Sequence, residues 1–451
     1  MNTILYGGCD NYVINELKKN LNVKCNIHSI KNFEKDFSNQ DLNNKNFEKS
    51  PRITVEGQKM YEEFYLKNFT KFNSIIVRRG IFLSSFYDIR DEFSQYFHNF
   101  FEIIKVNKIE LIIFFSFPHE GPDYILYKLA KSLGIKTILL YQTIFDNRFF
   151  IISDLDQFGK INYDESKKPE NFEHLLDYHN QYINNVQNFI LRNVNIMNSP
   201  FKTFLNSRRK TKTILIKLLN FLNILNRKDY QIEYKNNLKK LFISKKEFKK
   251  VFEKKTKKIY FPLHFQPELS TSVLGGSYDD QILVIERLSM FAGDNWDIII
   301  KDNPRQTYYQ RGSFFFKRLN NFSNIHVVDS MHDSLELIKK SDLVATVTGT
   351  PGWEAIKYRK KVLVFGNSWY SYIHGCLRVN NNTSDEEIHN FLNQSYNDNK
   401  FKSDFNRLFS QSFEGITDID ANQFYKTKNY NQEKNSKKVV LNILDYIKNN
   451  F

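Results

Sequence analysis

The chain has few cysteines and no long apolar run. Cys9, Cys25 and Cys376 are the only three among 451 residues, an odd number whose spacing matches no metal-binding motif. This scarcity disfavours disulfides and structural zinc and predicts a reducing compartment. No stretch reaches the roughly 18 apolar residues of a membrane-spanning helix. The N-terminal residues, which end in Gly7-Gly8, predict a first β-strand and a turn, and they lack the pattern of a signal peptide. These absences predict a cytoplasmic protein.

The composition supplies ample material for a folded core. Hydrophobic residues make up 41% of the chain and aromatic residues 16%, so disorder is not expected. At 451 residues the chain is too long for one core, and two domains of roughly 200 residues each are expected.

The net charge of +15 is confined to one segment. Residues 202–258 hold 19 Lys and Arg against 4 Asp and Glu, which leaves 65 − 19 = 46 basic and 50 − 4 = 46 acidic residues elsewhere. Within this segment, residues 214–225 predict an amphipathic helix. A solvated helical linker and an interfacial helix attracted to anionic lipid both fit the pattern. Nucleic acid is not expected as a partner, because no nucleic-acid-binding motif accompanies the charge.

Strand-like and helix-like segments alternate in both halves. In the first half, Glu110–Phe115, a helix from Tyr124 to Leu133, and Lys136–Leu140 predict a βαβ unit, and Ser74–Val77 is another candidate strand. The second half repeats the alternation, with strand-like runs that begin near residues 258, 296, 325, 342 and 361. The sequence therefore predicts an α/β protein with two parallel sheets covered by helices. Ligands of such sheets bind beyond the carboxyl ends of the strands.

Residues 346–355, Thr-Val-Thr-Gly-Thr-Pro-Gly-Trp-Glu-Ala, follow one of these strands. A turn rich in glycine and hydroxyl groups, placed between a strand and a helix, favours an anion at the helix N-terminus. We therefore expect a phosphate cradle with unpaired backbone N–H groups and unpaired Thr348 and Thr350 hydroxyls. The alternative is an ordinary strand-to-helix turn with a threonine cap.

Three further loops after predicted strands carry polar side chains. We expect all of them to face one cleft between the two domains, with the second domain supplying cations and hydroxyl groups and the first supplying carboxylates. For each residue an ordinary structural role, such as a packed loop histidine, a surface salt bridge or an N-cap at Asp123, is the alternative. The residues concerned are His264, Gln266, Glu268, Lys301, Asn303, Arg305, His119, Glu120 and Asp123.

Five segments together resemble the bacterial capsule polysaccharide biosynthesis proteins, a group that includes the retaining Kdo transferases of capsule assembly. The segments are 118–134, 260–272, 301–306, 346–355 and 364–370. The resemblance implies a GT-B-like fold, in which two Rossmann-like domains with parallel sheets face a central cleft. It also implies a glycosyltransferase that moves a sugar from a nucleotide donor, CMP-Kdo or a related CMP-sugar, to a capsular or other surface polysaccharide acceptor.

On this resemblance the chain divides into four parts. Residues 1–195 form an acceptor domain, 196–258 a basic helical linker, 259–400 a nucleotide-sugar-binding domain and 401–451 a helical tail. Glu120, with His119, is expected to be catalytic, as base or nucleophile. The expected donor-binding residues are His264, Gln266, Glu268, Lys301, Asn303, Arg305, Thr348, Gly349, Thr350, Gly352 and Glu354.

One position departs from the family pattern. Asn303 stands where the family usually has a histidine before proline, and asparagine can donate a hydrogen bond but cannot carry a positive charge. A non-catalytic component of capsule assembly or export therefore stays as an alternative. A nucleotide-sugar epimerase, which can share the two-domain fold, is a second alternative. No metal ion or cofactor is expected, since the nucleotide sugar is a substrate. The other expected partners are a lipid-linked or growing glycan and the inner face of the cytoplasmic membrane, contacted peripherally through 202–258.

Overall fold

The computed structural model describes residues 1–28, 37–38, 53–76, 85–145, 147–163, 169–176, 232–306, 311–417 and 431–451. The amphipathic helix expected at 214–225 lies outside these residues, as does the predicted domain boundary at 195–196.

The chain divides into two compact units. Unit 1 combines Met1–Tyr182 with Lys402–Phe451, and unit 2 holds Ile183–Phe401. The segment expected to be a separate C-terminal tail therefore belongs to unit 1. The four predicted domain boundaries stay a prediction.

Within the described residues, each unit contains one sheet. The strands in chain order are β1 Asn2–Tyr6, β2 Asn22–His28, β3 Phe37–Ser38, β4 Leu111–Phe114, β5 Lys136–Gln142, β6 Arg148–Ile152, β7 Lys257–Pro262, β8 Trp296–Lys301, β9 Ile325–Val328, β10 Leu343–Thr346, β11 Lys361–Val364, β12 Cys376–Arg378 and β13 Phe413–Glu414.

Helices connect most of these strands. In chain order they are α1 Asn11–Asn20, α2 Val55–Ile76, α3 Phe86–Val106, α4 Pro122–Ser132, α5 232–240, α6 Lys245–Glu253, α7 Gln281–Ala292, α8 Ser313–Leu319, α9 Ser334–Lys340, α10 Thr350–Lys357, α11 Asp385–Asn393, α12 Asp398–Phe409 and α13 Gln432–Asn450. Ser74 and its neighbours are the last turn of α2, so the strand expected there is wrong. A short apolar run does not by itself distinguish a strand from a buried helix segment.

The sheet of unit 1 has the order β13-β6-β5-β4-β1-β2-β3. Strands β1 to β5 pair in parallel, whereas β6 runs antiparallel to β5 and to β13. The chain builds from β1 toward β3 on one side and then from β4 toward β6 on the other. The strand order therefore reverses between β1 and β4.

The sheet of unit 2 has the order β12-β11-β10-β7-β8-β9, and all neighbouring strands pair in parallel. Here the order reverses between β7 and β10. Two largely parallel sheets confirm the predicted α/β class. The facing arrangement about a cleft stays a prediction.

Buried apolar strands form the centre of both cores. Every residue of β4 and of β10 is buried, as expected of central parallel strands covered on both faces. In unit 1, α13 completes the core, because Val439 and Ile443 pack into the cluster that holds Val13 and Leu17 of α1. The C-terminal helix is thus part of the fold of unit 1.

Candidate functional site at the carboxyl ends of the strands

The loops after β7 and β10 meet at the strand-order reversal of unit 2. The side chain of His264, two residues beyond β7, lies against the turn that follows β10. Its Nε2 is 3.0 Å from Thr346 Oγ1 and accepts a hydrogen bond from the Thr348 N–H at 3.3 Å. In open parallel sheets, ligands bind in the crevice outside the carboxyl ends of the strands at such a reversal.

The imidazole of His264 is neutral. Its burial, and secondarily the nearby positive charge of Arg311, lower its pKa to about 4. Because Nε2 accepts the Thr348 N–H, the remaining ring proton belongs on Nδ1. The ring also approaches the backbone closely, since a Cβ at Gly349 would lie 2.5 Å from His264 Nε2. The His264 ring therefore packs against the turn after β10 and supports it.

The turn between β10 and α10 differs from the expected cradle in its hydrogen bonds. The Thr348 hydroxyl is paired, because it donates to the Ser270 carbonyl at 2.6 Å. The Gly349 N–H donates to Thr346 Oγ1 at 3.0 Å, while Thr350 is exposed as the first residue of α10. The expectation of unpaired groups is therefore wrong for the Thr348 hydroxyl and for the N–H groups of Thr348 and Gly349.

Gly352 packs closely against Tyr370, which lies in the loop after β11. The Tyr370 hydroxyl donates to the Gly349 carbonyl, and a Cβ at Gly352 would lie 2.4 Å from that hydroxyl oxygen. The glycine pair of this turn thus permits close packing. A ligand role for either glycine stays a prediction.

Carboxamides fix the loop that follows β7. The Gln281 side chain accepts a hydrogen bond from the His264 N–H at 2.7 Å and donates to the His264 carbonyl at 3.0 Å. The Gln306 side chain does the same for Gln266, at 2.9 and 3.2 Å. Gln266 is itself buried and accepts from Gln281 Nε2 at 2.7 Å. Its side chain therefore holds the loop from within.

A buried ion pair holds the loop after β8. Asp302 and Arg311 are each 1% exposed; the Arg311 guanidinium donates to the Asp302 carboxylate and to the His264 carbonyl. The Tyr234 hydroxyl donates to the same carboxylate. Burial lowers the pKa of Arg311, which the neighbouring Tyr234 opposes. None of these three residues stands in a pattern that marks a ligand in the sequence.

Asn303 and Arg305 lie on the outer part of that loop. The Asn303 side chain accepts a hydrogen bond from the Arg305 N–H at 3.0 Å, which closes a local turn. The Arg305 guanidinium lies 4.8 Å from the centre of the Phe265 ring and 3.9 Å from a carboxylate oxygen of Glu268. The side chains of Arg305 and Glu268 are each 33% exposed. Both are accessible to a ligand.

Lys301 and Glu354 form a second polar group at this rim. Lys301 Nζ donates to the Ser334 hydroxyl at 2.6 Å. Burial raises the pKa of Glu354 to about 7, which the positive charge of Lys301 opposes and the negative charge of Asp333 reinforces. Burial likewise lowers the pKa of Lys301, and Asp333 and Glu354 oppose that shift. Near neutral pH this carboxyl group can exchange a proton.

The candidate residues of unit 1 lie at its own strand-order reversal. His119 and Glu120 follow β4, and both backbone N–H groups donate to the Asp123 carboxylate at 2.7 Å, as does that of Tyr124. Gly121 is the residue that precedes α4, so Asp123 anchors the turn from inside the first helical turn and not from the expected N-cap position. Burial raises the pKa of Asp123, and the charge of Glu120 reinforces the shift. The charge of His119 and the N–H groups of His119 and Glu120 oppose it.

A tight turn follows β1 at this reversal, as the first residues of the sequence predict. Gly7 has a φ of 103°, a conformation that favours glycine, and Asp10 caps α1 by accepting from the Tyr12 N–H at 2.7 Å. A Cβ at Gly7 would lie 3.7 Å from Phe115, the residue that follows β4. The signal was present in the sequence, because Gly7-Gly8 directly follows the first strand.

The predicted site residues thus fall into two groups. The first group, His119 and Glu120, belongs to unit 1. The second belongs to unit 2 and follows β7, β8 and β10: His264, Gln266, Glu268, Lys301, Asn303, Arg305, Thr348, Gly349, Thr350, Gly352 and Glu354. Among the described residues, no group of three or more His, Cys, Asp and Glu could hold a metal ion.

The family model for the capsule polysaccharide biosynthesis proteins matches residues 160–438. The chain belongs to this family. The match confirms the resemblance seen in the sequence and covers both the rim of unit 2 and part of unit 1. No curated protein sequence matches the chain. None of the described helices is long and apolar enough to cross a membrane.

Solved structures resemble this family member only distantly. Two are Thermosulfurimonas dismutans KpsC, described as a beta Kdo 2,4 transferase and a beta Kdo 2,7 transferase. Each is 10% identical with a TM-score of 0.31, and the matches cover 68% and 77% of this chain and 81% and 91% of theirs. A UDP-GlcNAc 2-epimerase from Methanocaldococcus jannaschii is 13% identical with a TM-score of 0.27, over 90% of this chain and 98% of that one. Likenesses of this size carry no argument about activity.

Proposed function

We propose that the chain is a glycosyltransferase that moves a sugar from a nucleotide donor, CMP-Kdo or a related CMP-sugar, to a capsular or other surface polysaccharide acceptor. The observation that carries the proposal is the convergence of three loops at the strand-order reversal of unit 2, in a chain of the capsule family. Parallel sheets bind nucleotides at this position.

In this proposal the donor binds to unit 2. Arg305, which is partly exposed and stacked on Phe265, contacts the donor phosphate, because a guanidinium matches the geometry of phosphate oxygens. The exposed N-terminus of α10 at Thr350 adds a favourable dipole. Lys301 and Glu354 meet the sugar or ribose hydroxyl groups. The positive charges of Arg305 and Lys301 offset the phosphate charge, so the proposed reaction uses no metal ion, in a GT-B arrangement.

Two predicted ligands of unit 2 take a different part in the proposal. The side chains of His264 and Gln266 form hydrogen bonds within the loops of the rim, so we assign these residues to positioning the donor site. Direct contact with the donor is assigned to Glu268, Asn303 and Arg305. Thr348, Gly349 and Gly352 likewise shape the turn that the phosphate approaches.

Unit 1 presents the acceptor and Glu120. A sugar centre that becomes oxocarbenium-like needs an anion within reach, as base or as nucleophile. The Glu120 side chain is half-buried beside the strand-order reversal. His119 accompanies it, with Nδ1 2.6 Å from the Phe117 carbonyl.

A thermal-shift panel of CMP, UDP, GDP and their sugars tests donor binding, because a ligand of the native state raises the melting temperature by mass action. We expect the cytidine compounds to give the largest shift and Arg305→Ala to reduce it. Arg359→Ala, an exposed arginine paired with Asp398, is the matched control. The absence of any nucleotide-dependent shift contradicts the proposal.

Product analysis then separates transfer from the alternatives. With the preferred donor and a glycan acceptor, a transferase releases the nucleotide only when the acceptor is present. Isomerisation of the donor without acceptor identifies a nucleotide-sugar epimerase. Donor binding with neither reaction identifies a non-catalytic component of capsule assembly or export.

We further propose peripheral attachment to the inner face of the cytoplasmic membrane through the basic segment 202–258. In its described part, Lys245, Lys246, Lys249 and Lys250 of α6 are exposed. Each lysine near an anionic surface contributes roughly 1 kcal/mol, and salt screens this attraction. Flotation with anionic vesicles at low salt, but not at high salt or with neutral vesicles, is expected. Failure to co-float at low salt contradicts this attachment.

A further inference from the structure

Unit 1 contains a cavity that the proposed transfer does not use. It lies where β6 meets β13 and is bordered by residues 157–162 and by the C-terminal ends of α12 and α13. Its volume is about 600 Å³, within the range of about 300 to 1,000 Å³ typical of small-molecule sites. None of the predicted catalytic or donor-binding residues lines it.

The polar lining of this cavity is dominated by carboxamides. A carboxamide offers a donor and an acceptor side by side, which matches a sugar hydroxyl, itself both donor and acceptor. Among the residues that the structure describes, no Asp or Glu lines the cavity and Lys160 is the single charged residue, so this lining suits neither a cation nor a polyphosphate. The four carboxamides are Gln157, Asn162, Gln411 and Asn450.

Local contacts orient three of these carboxamides. Gln157 Oε1 accepts a hydrogen bond from Ser153 Oγ at 2.9 Å. Asn450 Nδ2 donates to the Tyr446 carbonyl at 2.9 Å, and Gln411 Nε2 to the Lys160 carbonyl at 3.4 Å. Within the part of the chain that the structure describes, the second polar atom of each amide has no protein partner. Each amide is therefore held at one atom and can bind a ligand with the other.

Aromatic rings supply the apolar part of the lining. Tyr446 and Phe413, both partly exposed, lie edge to face with ring centres 6.4 Å apart. An aromatic face is an apolar platform, and the C–H face of a pyranose ring is an apolar surface of matching size. The Phe158 ring closes the inner side, packed on Phe117 and Tyr141 at 4.9 and 4.5 Å.

We propose that this cavity is a carbohydrate-binding site that takes one or two hexose units of a glycan. The aromatic platform holds the ring face and the carboxamides hold the hydroxyl groups, while Lys160 accommodates one sugar carboxylate. Binding at this cavity requires neither a nucleotide donor nor turnover. The assignment is therefore independent of the proposed transfer reaction.

Saturation-transfer NMR and calorimetric titration of the full chain test the assignment. The probes are galactose, N-acetylglucosamine, lactose, N,N′-diacetylchitobiose and a glucuronate-containing disaccharide. We expect at least one disaccharide to bind with a dissociation constant in the millimolar range or below, about −4 kcal/mol or stronger. Gln411→Ala and Tyr446→Ala should each weaken that binding at least fivefold, and Lys160→Gln should weaken only the glucuronate arm.

Matched variants separate binding from folding. Tyr446→Phe keeps the ring and should bind within twofold of the wild type. Gln394→Ala, a carboxamide change in unit 2, should have no effect. Gln411→Ala leaves the aromatic contacts intact, so it decides the matter if Tyr446→Ala fails to fold. Binding of none of the five sugars, or unchanged binding by Gln411→Ala, overturns the proposal, whatever the outcome of the donor and turnover assays.

Discussion

The two units support the loops at the carboxyl ends of their strands in different ways. In unit 2, buried side chains hold the rim from within: His264 holds the turn after β10, and the pair of Asp302 and Arg311 joins the loop after β8 to the loop after β7. In unit 1, a single carboxylate, Asp123, receives the backbone N–H groups of the turn that carries His119 and Glu120.

This difference separates supporting groups from reacting groups. In unit 2, several residues that the sequence marks as ligands are part of the support, whereas the guanidinium of Arg305 is partly exposed. In unit 1, the candidate reacting group Glu120 lies in the turn that the Asp123 carboxylate holds. A rim fixed before the ligand arrives avoids the entropy cost of ordering on binding, which suits a donor site.

The largest effect is expected at Glu120. Glu120→Gln should lower the rate of sugar transfer by about 100-fold or more, since a positioned acid or base contributes roughly 10²–10⁴-fold. The donor-induced rise in melting temperature should stay unchanged, because the proposal places the donor on unit 2. Steady-state transfer assays and thermal shift measure the two effects. Glu62→Gln, an exposed carboxylate on α2, is the control, and retained turnover by Glu120→Gln rejects the assigned role.

The next largest effect tests the support of unit 2. Arg311→Leu leaves the buried Asp302 carboxylate without its cation and should lower the free energy of unfolding by about 3–5 kcal/mol. Urea denaturation measures the loss. Arg359→Ala breaks an exposed ion pair with Asp398 and should cost about 0–1 kcal/mol. Equal losses in the two variants contradict the view that buried pairing organises this rim.

The matching experiment in unit 1 is Asp123→Ala. The variant leaves the N–H groups of His119, Glu120 and Tyr124 without their acceptor. The free energy of unfolding should fall by about 2 kcal/mol, because each unsatisfied buried group costs about 1–3 kcal/mol and the turn can partly relax into water. Turnover should fall with it, while donor-induced stabilisation persists. Loss of donor binding by Asp123→Ala would contradict the assignment of donor binding to unit 2 and of the reacting group to unit 1.

The smallest effect is the pH dependence of His264. With a folded-state pKa of about 4 and an unfolded value of about 6.5, the unfolded chain binds more protons as the pH falls below 6.5. Stability should therefore decrease with falling pH, by about 2 kcal/mol between pH 7 and pH 5 from this residue. His264→Gln should remove that part of the pH dependence. Urea midpoints of the two proteins at both pH values provide the measurement, and identical slopes contradict a buried neutral imidazole.

Much of the fold could be predicted from the sequence, because buried strands are rich in apolar residues. Strands β4 and β10 and the three isoleucines of β8 are largely apolar runs that belong at the centre of a parallel sheet. Ser74–Ile76 has the same composition but ends a helix, since length and context decide between the two. The antiparallel pairing of β6 with β5 was also missed.

The site was predictable in position but less so in the details of its contacts. The sequence places His264, Arg305 and Thr348 after strands, and topology brings those ends together. Nothing in the spacing reveals that Tyr234 donates to a carboxylate 68 residues away or that Thr348 uses its hydroxyl on Ser270. Such contacts depend on loop conformations that pattern and propensity do not encode.

The position of α13 has a consequence for biosynthesis. Its buried residues Val439 and Ile443 complete the core of unit 1, although most of that unit is encoded before residue 182. On the ribosome, the segment up to Phe401 can finish unit 2 while the surface of α1 that α13 covers is still bare. Unit 1, most of which is synthesised first, therefore completes its core last. The apolar face of α1 stays uncovered longest during synthesis, and a chaperone that binds apolar surface is needed there for the longest time.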